Sequence, residues 1–201
     1  MALSESSEHQ GSFRFWIGGF CRMGRCSGAP LKTMLELKEL LLRPPRLTLA
    51  VAESVTCGRV QARIGAISGA SEFFLGGLTA YSLDQKVRHL GVDRAAAEQV
   101  NAVSDEVAEQ MARGVCTLFG AQVGLATTGY AEPSPEWKIP CSRAWWAIAH
   151  ELGGGRVAVQ SGLVECPGAG RTAAQEAVAM AALGALVRYL KQVRGAGRTG
   201  Q

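Results

Sequence analysis

The chain has 201 residues, a formal net charge of +4, and 47% hydrophobic against 19% charged side chains. That is enough for one real core and too little for a second full domain, and the balance is that of a globular protein. Aromatic residues make up 6% and do not interleave with a basic stripe, which argues against nucleic-acid binding, and no apolar run approaches the ~18 residues of a membrane span.

The elements are legible in chain order. Residues 1–30 are Ser- and Gly-rich and without period, and read as a disordered leader or a non-native extension. Over 33–43, Met34, Leu37, Leu40 and Leu41 form one helical face, and Pro44-Pro45 ends it. The apolar run 47–52 is a buried strand that stops abruptly in Glu53-Ser54-Val55-Thr56-Cys57-Gly58. Val60, Ile64 and Ile67 then recur at helical spacing, so a helix is expected near Thr56. Residues 69–71 read as a turn and 76–82 as a second strand, with Asp84 capping a helix through Leu90.

Asp93 and Ser104 are N-cap candidates for two further helices, the longer with Val107, Met111, Val115 and Leu118 inward. Residues 123–128 form a third buried strand, and 144–149 and 156–164 two more around the hairpin signal Gly153-Gly154-Gly155. An Ala-rich helix from Thr172 to about Val193 closes the domain, leaving 194–201 as a tail. Helices alternating with short apolar strands define an α/β fold. The expected form is a single domain at 33–193, a mixed sheet flanked by helices in α/β/α layers.

Such sheets bind ligands outside the carboxyl ends of their strands, where Ser54 and Thr128-Gly129 fall. Ser54, near a helix N-terminus, reads from spacing alone first as a plain helix cap and otherwise as a candidate nucleophile or phosphate ligand. A serine hydroxyl needs a base. His89 and His150 have no accompanying acid motif, which disfavours a Ser-His-Asp arrangement and leaves lysine. Lys86, early in a helix, is either a solvated lysine or an amine of lowered pKa, with Tyr81 five residues before it to relay a proton or orient the amine. Arg171 follows Gly168-Ala169-Gly170 and precedes Thr172, a phosphate grip or an exposed loop arginine. The six cysteines are scattered without a CxxC pair and there are three histidines, so no metal is expected, and free thiols point to a reducing cytoplasm.

Several segments occur together and in order: Ala-Glu-Ser-x-Thr-x-Gly at 52–58, Gly-x-x-x-Phe-x-x-Gly at 69–76, Thr-x-Tyr-Ser-x-x-x-Lys at 79–86, Leu-Gly-Val at 90–92, Ala-Val-Ser at 102–104, Thr-Gly at 128–129 and Pro-Gly-x-x-Arg at 167–171. The series resembles the CinA C-terminal domain family, the nicotinamide-nucleotide amidases, over roughly 33–193. The resemblance implies an enzyme that hydrolyses nicotinamide mononucleotide to nicotinate mononucleotide and ammonia without a metal or other cofactor. By position it implies Ser54 as nucleophile and Lys86 and Tyr81 as its activating partners. Arg171 would hold the nucleotide, and Ser71 would lie in a turn near the site. Thr56, Gly58, Thr128 and Gly129 complete the expected binding set, with amides near Thr56 to Gly58 stabilising the oxyanion. The expected partner is a small-molecule nucleotide, with no membrane or nucleic acid, in a homo-oligomer.

The chain also departs from the family pattern. Ser54-Val55-Thr56-Cys57-Gly58 replaces the usual Ser-Cys-Thr-Gly-Gly, so Cys57 stands where a glycine is usual. Leu83 stands where an asparagine is usual. After Thr128-Gly129 the usual glycine-rich loop is replaced by residues 130–141, which bring Glu132, Glu136 and Trp137. Acidic groups there would repel a phosphate. Two readings therefore stand: an active amidase, or a module of the same fold that binds a nucleotide or a protein and hydrolyses nothing.

Overall fold

The computed structural model of the chain describes residues 29–196; residues 1–28 of the expected leader and the end of the tail lie outside the described residues, and the leader's last two residues belong to the first helix. Helix α1 (Ala29–Leu42) leads through Pro44-Pro45 into β1 (Leu49–Glu53), followed by α2 (Arg59–Gly65) and β2 (Phe74–Thr79). Three helices follow: α3 (Leu83–Leu90), α4 (Arg94–Gln99) and α5 (Asp105–Phe119). Then come β3 (Val123–Tyr130), β4 (Ser142–Gly153), β5 (Arg156–Cys166) and the long α6 (Arg171–Ala196). One five-stranded sheet has the order β2-β1-β3-β4-β5. Strands β2, β1 and β3 are parallel, and β3, β4 and β5 run antiparallel in turn.

Strand alternation sorts the side chains into two unlike faces. One face carries Leu49, Val51, Val123, Leu125, Trp146 and Ile148, packed against α1, α2 and α6 through Leu37, Leu41, Ile64, Leu183, Leu186 and Leu190. The other is paved with Ala50, Ala52, Ala126, Ala147 and Ala149, on which α5 lies through Ala108, Met111, Ala112 and Val115. The small face brings α5 close. A Cβ on Gly124 would stand 2.1 Å from the Ala112 carbonyl oxygen, so glycine there is a packing requirement. A third cluster, Val55, Ala131, Ala144, Cys166, Ala174 and Val178, joins the turns after β1 and β3 to the start of α6.

Two of the expected caps form as read: Asp93 accepts from Ala96 N at 3.2 Å and Ser104 from Val107 N at 3.2 Å. Four details differ. Leu118 is 48% exposed, because the buried stripe of α5 runs through Val115 and Cys116 to Phe119 and leaves Leu118 beyond its edge. The N-cap of α3 is Ser82, and Asp84 accepts instead from Arg94. Strand β2 begins at Phe74 and ends at Thr79, so Tyr81 has left the sheet. Helix α6 continues through Arg194, whose Nη2 donates to the Pro45 carbonyl at 2.7 Å. No helix among the described residues is long and apolar enough to cross a membrane.

Candidate active site

The parallel register puts Glu53 beside Thr127 on β3 and Thr79 on β2, so Ser54 emerges at the carboxyl edge of the sheet. Its N–H still donates to Thr127 O at 2.9 Å, which ties it to the strand it follows. The turn is organised by Glu53, whose side chain is fully buried. Its Oε2 accepts from Thr56 Oγ1 at 2.6 Å, Gly58 N at 2.9 Å and Val60 N at 3.1 Å, and its Oε1 from Gln61 N at 2.8 Å. The free donors at the start of α2 are thus taken by a carboxylate from inside the chain. That overturns the expectation of an open anion site at this helix start, and neither Ser54 nor Thr56 is its cap. Sequence reading passed over Glu53; an acidic residue closing an apolar strand just before a helix was the available signal.

Lys86 is 3% exposed although it carries an amine. Its Nζ donates to Thr128 Oγ1 at 3.0 Å and to the Ala102 carbonyl at 3.2 Å, and Thr128 Oγ1 donates to the same carbonyl at 2.7 Å. No carboxylate is among these partners, and burial lowers the Lys86 pKa from 10.5 to about 8. A neutral amine has two N–H groups and one lone pair. Both donors are accounted for here, and the lone pair is left to take a proton. The acceptor is aimed by unusual backbone: Asn101 and Ala102 both have left-handed φ angles, 50° and 55°. Such strain is held where a site needs a group in a fixed place.

Ser54 and Lys86 line one cavity of about 500 Å³, with Tyr81, Gly129, Tyr130 and Arg171. Arg171, the first residue of α6, donates from Nη2 to the Tyr81 hydroxyl at 2.7 Å and from Nη1 to Glu132 Oε1 at 2.7 Å. Tyr81 is therefore coupled to Arg171, while the partners of Lys86 are Thr128 and Ala102. The 130–141 loop is built, with Ser134 and Ile139 exchanging backbone hydrogen bonds of 3.0 and 2.9 Å around Pro135–Trp137. Glu132, Glu136 and Trp137 all face the cavity. A second hollow of about 280 Å³, lined by Val100, Ile139, Arg143 and Trp145, shares Val103, Tyr130 and Trp137 with the first. Asn101 donates to the Tyr130 hydroxyl at 3.1 Å, and neither residue was picked out from sequence.

The remaining expected residues fall into two places. Thr128 and Gly129 are at the cavity, the first through Lys86 and the second in its wall. Thr56 is buried against Glu53 and Thr127 (Oγ1 to Oγ1 2.7 Å), and Gly58 gives its amide to Glu53, so both brace the turn beneath Ser54. Ser71 is exposed in the short helical turn Ala70–Glu72 before β2, at the amino end of the strands and across the sheet from Ser54. Within one chain it does not join the others. Among the described residues no group of three His, Cys, Asp or Glu side chains could hold a metal.

Fold and site define an α/β/α protein whose cavity, at the carboxyl edge of parallel strands, sets a serine in the same wall as a buried lysine. The family model of the CinA C-terminal domain matches residues 32–190. A CinA-like protein of Chlorobium limicola is 37% identical over 164 residues, covering 81% of this chain and 38% of its own length. Another, of Chlorobaculum tepidum, is 42% identical over 132 residues, covering 64% of this chain and 31% of its own. The crystal structure of the competence/damage inducible protein CihA from Agrobacterium tumefaciens superimposes with TM-score 0.68 at 26% identity, over 83% of this chain and 98% of that one. A CinA superfamily protein from Klebsiella pneumoniae, 24% identical, shares the fold with TM-score 0.73 over 81% of this chain and 98% of that one. The chain belongs to the CinA C-terminal domain family. It spans less than two fifths of the length of those two curated relatives.

Proposed function

We propose that the chain hydrolyses a small carboxamide of the nicotinamide-nucleotide type, with Ser54 as nucleophile and Lys86 as base. The observation that carries this reading is Lys86: a buried amine with both neutral-form donors occupied, in the wall that also holds Ser54. Neutral Lys86 takes the Ser54 proton as Oγ attacks the carboxamide carbon. The amides of Gly58, Val60 and Gln61 are committed to Glu53, and that of Cys57 to Ser54 O. The oxyanion donors left in this turn are the amides of Val55 and Thr56. The protonated Lys86 then returns its proton to the departing nitrogen and ammonia leaves. Water, deprotonated by the same amine, opens the acyl ester, and the acid and the free serine result. Tyr81, whose oxygen accepts from Arg171, retains its own hydrogen for a substrate oxygen.

A silent binding module is the competing reading, and the ion pair between Glu132 and Arg171 favours it, because it occupies the cation expected to meet the nucleotide. Ammonia release from nicotinamide mononucleotide, measured on the purified protein beside Ser54→Ala, separates the two. Turnover that the variant lacks supports hydrolysis. Thermal stabilisation by the nucleotide without turnover supports the module.

A further inference from the structure

We infer that Glu132 sets the ligand class of the cavity, which takes a carboxamide carrying no phosphate in preference to its phosphorylated form. The inference rests on the cavity being the ligand site, as the amidase reading also requires. Among the described residues Arg171 is the one guanidinium in the cavity wall, and its two terminal nitrogens are already engaged by Glu132 and Tyr81. An exposed ion pair of this kind is weak, so it does not lock the arginine. The decisive point is what a phosphate would leave behind. If it displaced Glu132 from Arg171, an unpaired carboxylate would remain beside the phosphate, with Glu136 in the same wall.

Among the described residues the cationic side chains of the wall are Lys86 and Arg171, and the acidic ones are Glu132 and Glu136. In the state that serves as a base Lys86 is neutral, and the wall then carries one net negative charge. A neutral or cationic amide suits that field and a phosphate opposes it. Glu132 can also accept from a ligand hydroxyl, and its partner Arg171 keeps it in position to do so. The adjoining hollow behind Tyr130 and Trp137 offers aromatic rather than cationic walls, Arg143 apart, for whatever extends beyond the amide.

Nicotinamide riboside and its mononucleotide, which differ by one phosphate, are the probes. Dissociation constants are measured by calorimetry in Ser54→Ala, so that neither ligand is consumed, with and without Glu132→Gln, above pH 8 where Lys86 is neutral. The expected result is riboside bound more tightly than mononucleotide, and equal binding overturns the inference. Glu132→Gln should then move the ratio of the two constants about tenfold toward the mononucleotide, and Glu136→Gln should move it in the same direction. Preference for the mononucleotide in Ser54→Ala, a ratio that Glu132→Gln leaves unchanged, or binding of neither probe overturns the inference. Ammonia release by the unaltered chain is followed separately. Riboside binding without any release would remove the amidase reading and leave this inference standing.

Discussion

Glu53 holds Thr56 across a 2.6 Å hydrogen bond while the same carboxylate collects the amides of Gly58, Val60 and Gln61. One buried side chain therefore fixes the turn that presents Ser54 and also starts α2. Glu53→Ala leaves the buried amide of Val60 and the half-buried amides of Gly58 and Gln61 without their acceptor, and should lower stability by on the order of 3 kcal/mol. Glu53→Gln retains the size but turns an amide N–H toward a backbone donor, so it too should destabilise, by about 1–3 kcal/mol. Urea midpoints measure both. A change below about 0.5 kcal/mol in either variant would show that the turn is held by other means.

Lys86 should give the reaction a single ascending pH limb with an apparent pKa near 8, the value to which burial brings the amine. The same shift has a consequence for stability. The unfolded chain holds this proton up to about 10.5, and the folded one only to about 8. Below pH 8 both states are protonated and the folded state carries the whole cost of a buried ammonium. Between 8 and 10.5 the unfolded state alone keeps the proton, so stability rises with pH across that window. Lys86→Met should then remove turnover and raise stability at pH 7 by on the order of 1–3 kcal/mol. The gain should shrink toward pH 10.5. A variant less stable than its parent at pH 7 would mean that the contacts with Thr128 and Ala102 outweigh desolvation.

Much of this was legible because it is local. A periodic stripe ending at Pro44, a capping serine at 104 and the run 123–128 each act through neighbours a few residues away. What could not be read is what depends on register. Glu53 meets α2 only because the chain reverses within five residues, and Ser71 is carried to the far end of the sheet because β2 runs parallel to β1. By spacing alone Lys86 reads as a solvated helix lysine before it reads as a desolvated one. The deciding partners, Thr128 and Ala102, lie 42 and 16 residues away. Likewise the 130–141 loop read as acidic, and only the structure aims Glu132 at Arg171.

Gly129 should resist substitution although it lies in an ordinary strand conformation. A Cβ there would stand 2.5 Å from Ala144 Cα and 2.6 Å from the Arg143 carbonyl oxygen, so β3 and β4 would have to part. Gly129→Ala should cost about 1–3 kcal/mol. It should also lower turnover by more than the lost stability accounts for, because the same movement displaces Thr128 and with it the Lys86 nitrogen. A thermal melt and a rate measured well below the melting temperature separate the two effects. An unaltered rate at lowered stability would show that Lys86 is placed independently of β4.

Cys57, at the position where the resemblance leads one to expect a glycine, keeps a left-handed backbone. It has φ 50°, directly before Gly58 at φ 90°, so two consecutive residues occupy the left-handed region and one carries a Cβ. The side chain is exposed, so it offers no burial to offset the strain. Cys57→Gly removes that strain but gives the unfolded chain more freedom, and the balance should be a gain of about 0.5–1 kcal/mol. Cys57→Val places a branched Cβ at the same φ and should cost about 1–2 kcal/mol. If both variants melt with the parent, the turn after Ser54 relaxes more readily than its four bonds to Glu53 imply. If they diverge as expected, the chain keeps this serine in place against a strained residue three positions on.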